Sequence, residues 1–151
     1  MKVKLSIISV LFCMACNQPE IVQEIGYTAV DPNLGTTQEL VIRADSVHYT
    51  HLFLGAVSVF HDTTGRVLWT KLAGQYDAKA FKNIKGGGDP VSAYAPDRTF
   101  RIKTQSEEIE FTNGDASEAY QQMDGFFRII MDLSVRCYER SIPVNMTKPH
   151  D

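Results

Sequence analysis

A chain of 151 residues with 44% hydrophobic and 22% charged residues has the make-up of one globular domain with a real core, not of a disordered polymer. Its 18 acidic residues outnumber 15 basic ones, a formal charge of -3, and the charges are scattered. No basic patch is therefore available to neutralise a phosphate backbone, and nucleic acid is not an expected partner.

The N-terminus has the parts of an export signal. Lys2 and Lys4 precede an apolar run from Leu5 to Met14, and small Ala15 stands before Cys16. The run is about half of the roughly 20 residues that a membrane-spanning helix needs, so residues 1–15 read as a signal that is removed. The ending Met14-Ala15-Cys16 resembles the lipobox of bacterial lipoproteins, with Cys13 where that box usually has Leu. The resemblance implies that Cys16 is lipidated and becomes the first residue, so the membrane is a partner through Cys16. Asn17 behind it fits sorting to the outer membrane. Cys13 then leaves with the signal, Cys137 is the one remaining thiol, and an intrachain disulfide is excluded.

Residues 16–37, rich in Pro, Gly, Asn, Thr and acidic side chains, read as a tether that would reach about 25 Å if flexible. A single domain is expected over 38–140. Leu40 to Ala44 and Val47 to His51 form a β-hairpin around Asp45-Ser46, because the apolar alternation changes phase there. "FLGAVSVFHD" continues as a third strand, with Gly55 as a bulge or close-packing point.

From Thr63 the spacing turns helical. Val67, Leu68, Leu72 and Tyr76 share a side, Thr63 or Thr64 caps the start, and Asp77 caps a short turn that carries Phe81 and Ile84. "KGGGDPVSAYAPD" is a breaker-rich loop. Phe100 and Ile102 alternate with Arg101 and Lys103, and Ile109 and Phe111 with Glu108 and Glu110, a second hairpin with opposite charges outward. Asp115 and Glu118 resemble a capping box, and Met123, Phe126, Phe127, Ile130, Leu133 and Cys137 make one apolar helical stripe. Residues 141–151, with Pro143 and Pro149, read as a flexible tail. The expected class is α+β: an antiparallel sheet with two helices packed on one face, in the order β-β-β-α-β-β-α.

The succession "LWTKLAGQYD", "FKNI", a Gly-rich loop, "APDRTFRIKT", "IEFTNG" and a terminal helix resembles small uncharacterised bacterial lipoproteins of the Bacteroidetes type, over roughly Leu40 to Leu133. The resemblance implies a lipid-anchored place in the cell envelope and says nothing about chemistry.

No catalytic template is met. His48 and His51, three apart in a strand, point to opposite faces, and only an intervening turn would bring them to His61, so no metal site is expected. Gly86 to Gly88 lacks the strand and the Lys-Ser/Thr of a phosphate loop, and His61-Asp62 has no nucleophile at a recognisable spacing. Glu107, Glu108 and Glu110 are accounted for by the hairpin, and no cofactor is implied. Asp45-Ser46-Val47 and Asp62-Thr63-Thr64 match the pattern at which exported proteins of the resembled type are O-glycosylated, which makes Ser46 and Thr63 candidate acceptors.

The functional expectation is a non-enzymatic binding or scaffolding module for an envelope protein or glycan, using Tyr94, Tyr120 or Trp69. The alternative is an envelope enzyme or inhibitor subunit whose site would gather His48, His51, His61 or Asp97. For the anchor the expected outcome is direct: Cys16→Ala abolishes palmitate labelling and leaves an uncut precursor. Retained label or normal cutting in that variant would refute it.

Overall fold

A computed structural model of the chain describes residues 21–87, 95–114 and 116–143. The elements in chain order are β1 (Val22–Asp31), β2 (Thr36–Ile42), β3 (Val47–Phe53), β4 (Ala56–Asp62), α1 (Arg66–Gln75), α2 (Ala78–Asn83), β5 (Asp97–Thr104), β6 (Glu108–Thr112), α3 (Glu118–Gln122), α4 (Asp124–Arg140) and β7 (Ile142–Pro143). The seven strands make one antiparallel sheet in the order β6-β5-β1-β2-β3-β4-β7. The class is α+β.

The expected tether is corrected from Val22 onward, because that segment is an interior strand of the sheet, between β5 and β2. Ile25, Tyr27 and Ala29 are buried, and they alternate with Gly26, Thr28 and Val30 on the opposite face. One side of β1 pairs with β2 (Tyr27 with Leu40) and the other with β5 (Tyr27 with Phe100). The domain therefore starts at Val22 rather than 38. At its other end, Ile142 and Pro143 of the expected tail pair with Val59 and Ser58 on β4.

Among the described residues the order is β-β-β-β-α-α-β-β-α-α-β, and four helices replace the expected two. The first helical span divides at Asp77, whose carboxylate accepts from the Ala80 N–H at 2.9 Å and starts α2. The cap expected from Thr63 or Thr64 on α1 is replaced by Gly65, with Thr64 buried instead. Val67, expected on the inner side, is exposed, while Leu72 is fully buried. The last span breaks at Met123, whose N–H donates to the Tyr120 carbonyl at 3.0 Å and whose own carbonyl accepts from Phe127 at 3.1 Å. Ser117 caps α3; Asp115 lies outside the described residues.

All four helices contribute to one side of the sheet. The core there is aromatic: Phe100 and Phe127 lie 4.5 Å apart between ring centroids, Phe81 and Phe111 5.0 Å. The α4 stripe read from the sequence is the face that closes it, with Met123, Phe126, Phe127, Ile130 and Cys137 buried. On the other side of the sheet Arg101 stands opposite Glu110 and Lys103 opposite Glu108, as the second hairpin requires. Glu24 of β1 accepts from both Arg101, at 3.2 Å, and Arg43, at 2.9 Å.

Two glycines test this packing in opposite directions. A Cβ on Gly114 would lie 2.7 Å from the Tyr120 ring and 2.8 Å from the Phe111 ring, whereas one on Gly74 in α1 meets nothing within 4 Å. In urea unfolding followed by Trp69 fluorescence, Gly114→Ala is expected to lose about 1–3 kcal/mol through overpacking. Gly74→Ala is expected to gain roughly 0.5–1 kcal/mol from helix propensity.

Candidate ligand-binding site

Two tight turns and the second half of α4 meet at the end of the sheet where β1 finishes. In the β1–β2 turn the Asp31 carboxylate accepts from the N–H groups of Asn33, at 2.9 Å, and Leu34, at 3.1 Å, which turns the Leu34 side chain outward. The β3–β4 connection is Leu54-Gly55 with φ of 47° and 84°, the left-handed pair of a two-residue hairpin turn. Gly55 is thus a turn residue and not a bulge inside one strand, and Leu54 stands out as an exposed apolar tip.

A cavity of about 300 Å³ lies between α4 and this end of the sheet. Tyr27, Ala29 and Gln38 come from the strands, and Met131, Ser134 and Val135 from the helix. The helix is tied across it by Ser134 Oγ, which donates to Gln38 Oε1 at 3.5 Å. Leu34 and Arg98 stand at the margins. Burial pushes the Tyr27 phenol up, and the Arg98 guanidinium works against that shift, as it does for Tyr120. Among the described residues no carboxylate pairs with the Arg98 guanidinium. The lining joins apolar side chains to several hydroxyl and amide groups, the Arg98 cation and the Asp31 carboxylate, whose Oδ1 is already taken up by the turn N–H groups; it suits a small apolar group that carries a hydrogen-bond acceptor for Arg98.

An apolar rim continues from the cavity along the same side. His51 pairs with Gln38 in register, and its ring packs edge-on to Tyr138 at 4.9 Å and stacks on Phe53 at 6.4 Å. Phe53, Leu54, Val135 and Tyr138 are all exposed.

The other candidates from the sequence fall elsewhere. His48 and His51 do face opposite sides, and the Leu54-Gly55 turn brings His48, but not His51, opposite His61: the β3–β4 register pairs the two, 2.6 Å between His48 Nδ1 and His61 Nε2. Asp97 accepts from the Asn113 amide at 2.6 Å, apart from any histidine. Glu107 pairs with Lys82, and Glu108 lies 3.8 Å from Arg101. Gly87 donates to the Thr112 carbonyl at 2.8 Å, which stitches the glycine loop to the sheet edge.

Trp69 and Tyr120 pack half-buried against the core. Tyr94, Gly88, Cys13 and Cys16 lie outside the described residues. Ser46 sits in the β2–β3 turn with its hydroxyl donating to Asp45 at 3.0 Å, and Thr63 is exposed just after β4, its N–H donating to Asp62 at 2.8 Å. Cys137 is buried, and burial pushes its thiol up, as a core cysteine's would be.

The cavity residues of β1 and β2 were hidden by reading 16–37 as a tether, although Ile25, Tyr27, Ala29 and Asp31 already showed a period of two. Arg98, Ser134 and Val135 carried no comparable signal. No protein-family model and no curated protein matches this sequence.

Burial also holds the His51 pKa below the ordinary imidazole value. The unfolded chain then takes a proton at His51 at a higher pH than the folded one. The stability due to neutral His51 is full above about pH 6.5 and is lost as pH falls through the folded value. The drop in urea midpoint between pH 7.5 and pH 5 should therefore shrink in His51→Gln. An equal drop in both proteins would contradict this.

Proposed function

We propose that this chain is a lipid-anchored binding module of the bacterial cell envelope, held by Cys16, and that it takes a group of its partner into the cavity beside Arg98. The observation that carries the reading is the joining of that cavity to an exposed rim of Phe53, Leu54, Val135 and Tyr138. At about 300 Å³ the cavity is at the small end of ligand sites. That size suits one inserted side chain or a compact sugar or acid better than a bulky cofactor.

The position of β1 adds a geometric argument. Only residues 17–21 separate Cys16 from Val22, and five residues span at most about 18 Å. β1 then runs ten residues, on the order of 33 Å, before it reaches the cavity. A chain anchored at Cys16 would present its near end, with the Arg43–Ser46 turn, to the bilayer and its cavity to the far side. The partner would be an envelope protein or glycan beyond the lipid surface. No helix among the described residues is long and apolar enough to cross a membrane.

Photo-crosslinking in intact cells separates this from a passive surface. A benzophenone amino acid at Val135 is expected to give one discrete adduct, and Arg98→Ala to weaken it by about tenfold through loss of a charge-assisted hydrogen bond. The same probe at Val67, which is more exposed (83% against 58%) but is not part of the cavity lining, should give none. Equal yields from both positions would contradict the reading.

A further inference from the structure

The strongest cluster outside the cavity is on the open side of the sheet. The row Gly26, Val41, His48, His61 crosses β1 to β4, and only its last two members carry metal-binding groups. We propose that His48 and His61 form a bidentate site for a divalent transition-metal cation of the zinc or copper class.

The nitrogens already converge. His48 Nδ1 and His61 Nε2 lie 2.6 Å apart with the rings tilted by 57°. A hydrogen bond at that distance needs one N–H and one bare nitrogen, so a single proton sits where a cation would. With metal–nitrogen distances of about 2.0–2.1 Å and ordinary bite angles, two imidazoles bound to one ion stand roughly 2.9–3.4 Å apart. The pair has to open by well under an ångström, which side-chain rotation supplies.

The tautomers are also arranged for it. His48 Nε2 lies 3.3 Å from Thr50 Oγ1, two residues along on the same face. When Nε2–H donates to that hydroxyl, Nδ1 is left bare and pointing at His61, the same outer support that orients histidine ligands in metal sites. His61 needs only to carry its proton on Nδ1 to free Nε2. An antiparallel pair of strands holds the two side chains at fixed spacing before any ion arrives.

The donor set decides the ion. Two imidazoles and no carboxylate suit zinc or copper and do not suit calcium or magnesium, which take oxygen ligands. Among the described residues no group of three or more His, Cys, Asp or Glu side chains converges, so the remaining positions would be filled by water. His51, on the helix-covered side, cannot reach the ion.

The test is calorimetric titration of the tag-free full-length chain in detergent with zinc chloride and, separately, a copper(II) salt. One ion per chain is expected for at least one of them. His48→Gln and His61→Gln should each weaken binding at least tenfold, and Thr50→Val should weaken it by about tenfold through the lost outer hydrogen bond. His51→Gln and His150→Gln should leave it unchanged, and millimolar calcium should not compete. Thermal unfolding of the metal-free variants checks that each is folded. Unchanged affinity in the His48→Gln/His61→Gln double variant would overturn the proposal. So would dissociation constants weaker than about 1 mM for both metals.

Discussion

The backbone pairing of β1 on both of its edges is the constraint on which the rest depends. The first four strands form a meander, and β5 and β6 form a separate hairpin that starts 35 positions after β4 ends, at Asp97 against Asp62. Only β1 joins them, through seven register pairs to β2 and eight to β5. Its inward residues Ile25, Tyr27 and Ala29 also lie under the helices. Both hydrogen-bonding edges and one face of this strand are therefore used, and losing it would part β2-β3-β4-β7 from a lone β5-β6 hairpin, which is marginal by itself.

Because side chains alternate strictly along a strand, the register of β1 sorts every neighbour. It sends Leu40, Tyr49 and Phe100 to the helix side with Tyr27, and leaves Val41, His48 and Arg101 outside with Gly26. The cavity beside Arg98 and the His48–His61 pair are two outcomes of the same sorting, one on each face. A one-residue slip between β3 and β4 would take His61 away from His48. Aromatic packing of Phe100, Phe111 and Phe127 then fixes α4 over the sheet, and the helix in turn closes the cavity wall.

Much of this was legible in the sequence where a pattern is enforced by burial on one side only. The two hairpins from Leu40 to His51 and from Phe100 to Phe111, the cap at Asp77 and the α4 stripe were all readable for that reason. β1 was missed because Gly26, Thr28 and Asp31 are turn-rich residue types, and their composition masked the alternation around them. Leu54-Gly55 was missed because leucine is a poor left-handed residue, and only pairing with both flanking strands forces it there. The cavity was out of reach, since Tyr27, Arg98 and Ser134 are separated by tens of residues and meet only through the sheet order. The His48–His61 contact depended on the same turn: with a bulge at Gly55 the two residues are not opposite, and with a two-residue turn they are.

Native-state hydrogen exchange of the β1 amides tests the central claim most directly, because a strand paired on both edges and a tether differ by orders of magnitude in protection. The amides of residues 25–30 should exchange as slowly as those of β2 and β5, opening only with global unfolding. Exchange of residues 25–30 at the rate of a free peptide, while β2 to β4 stay protected, would contradict the architecture and the cavity built on it.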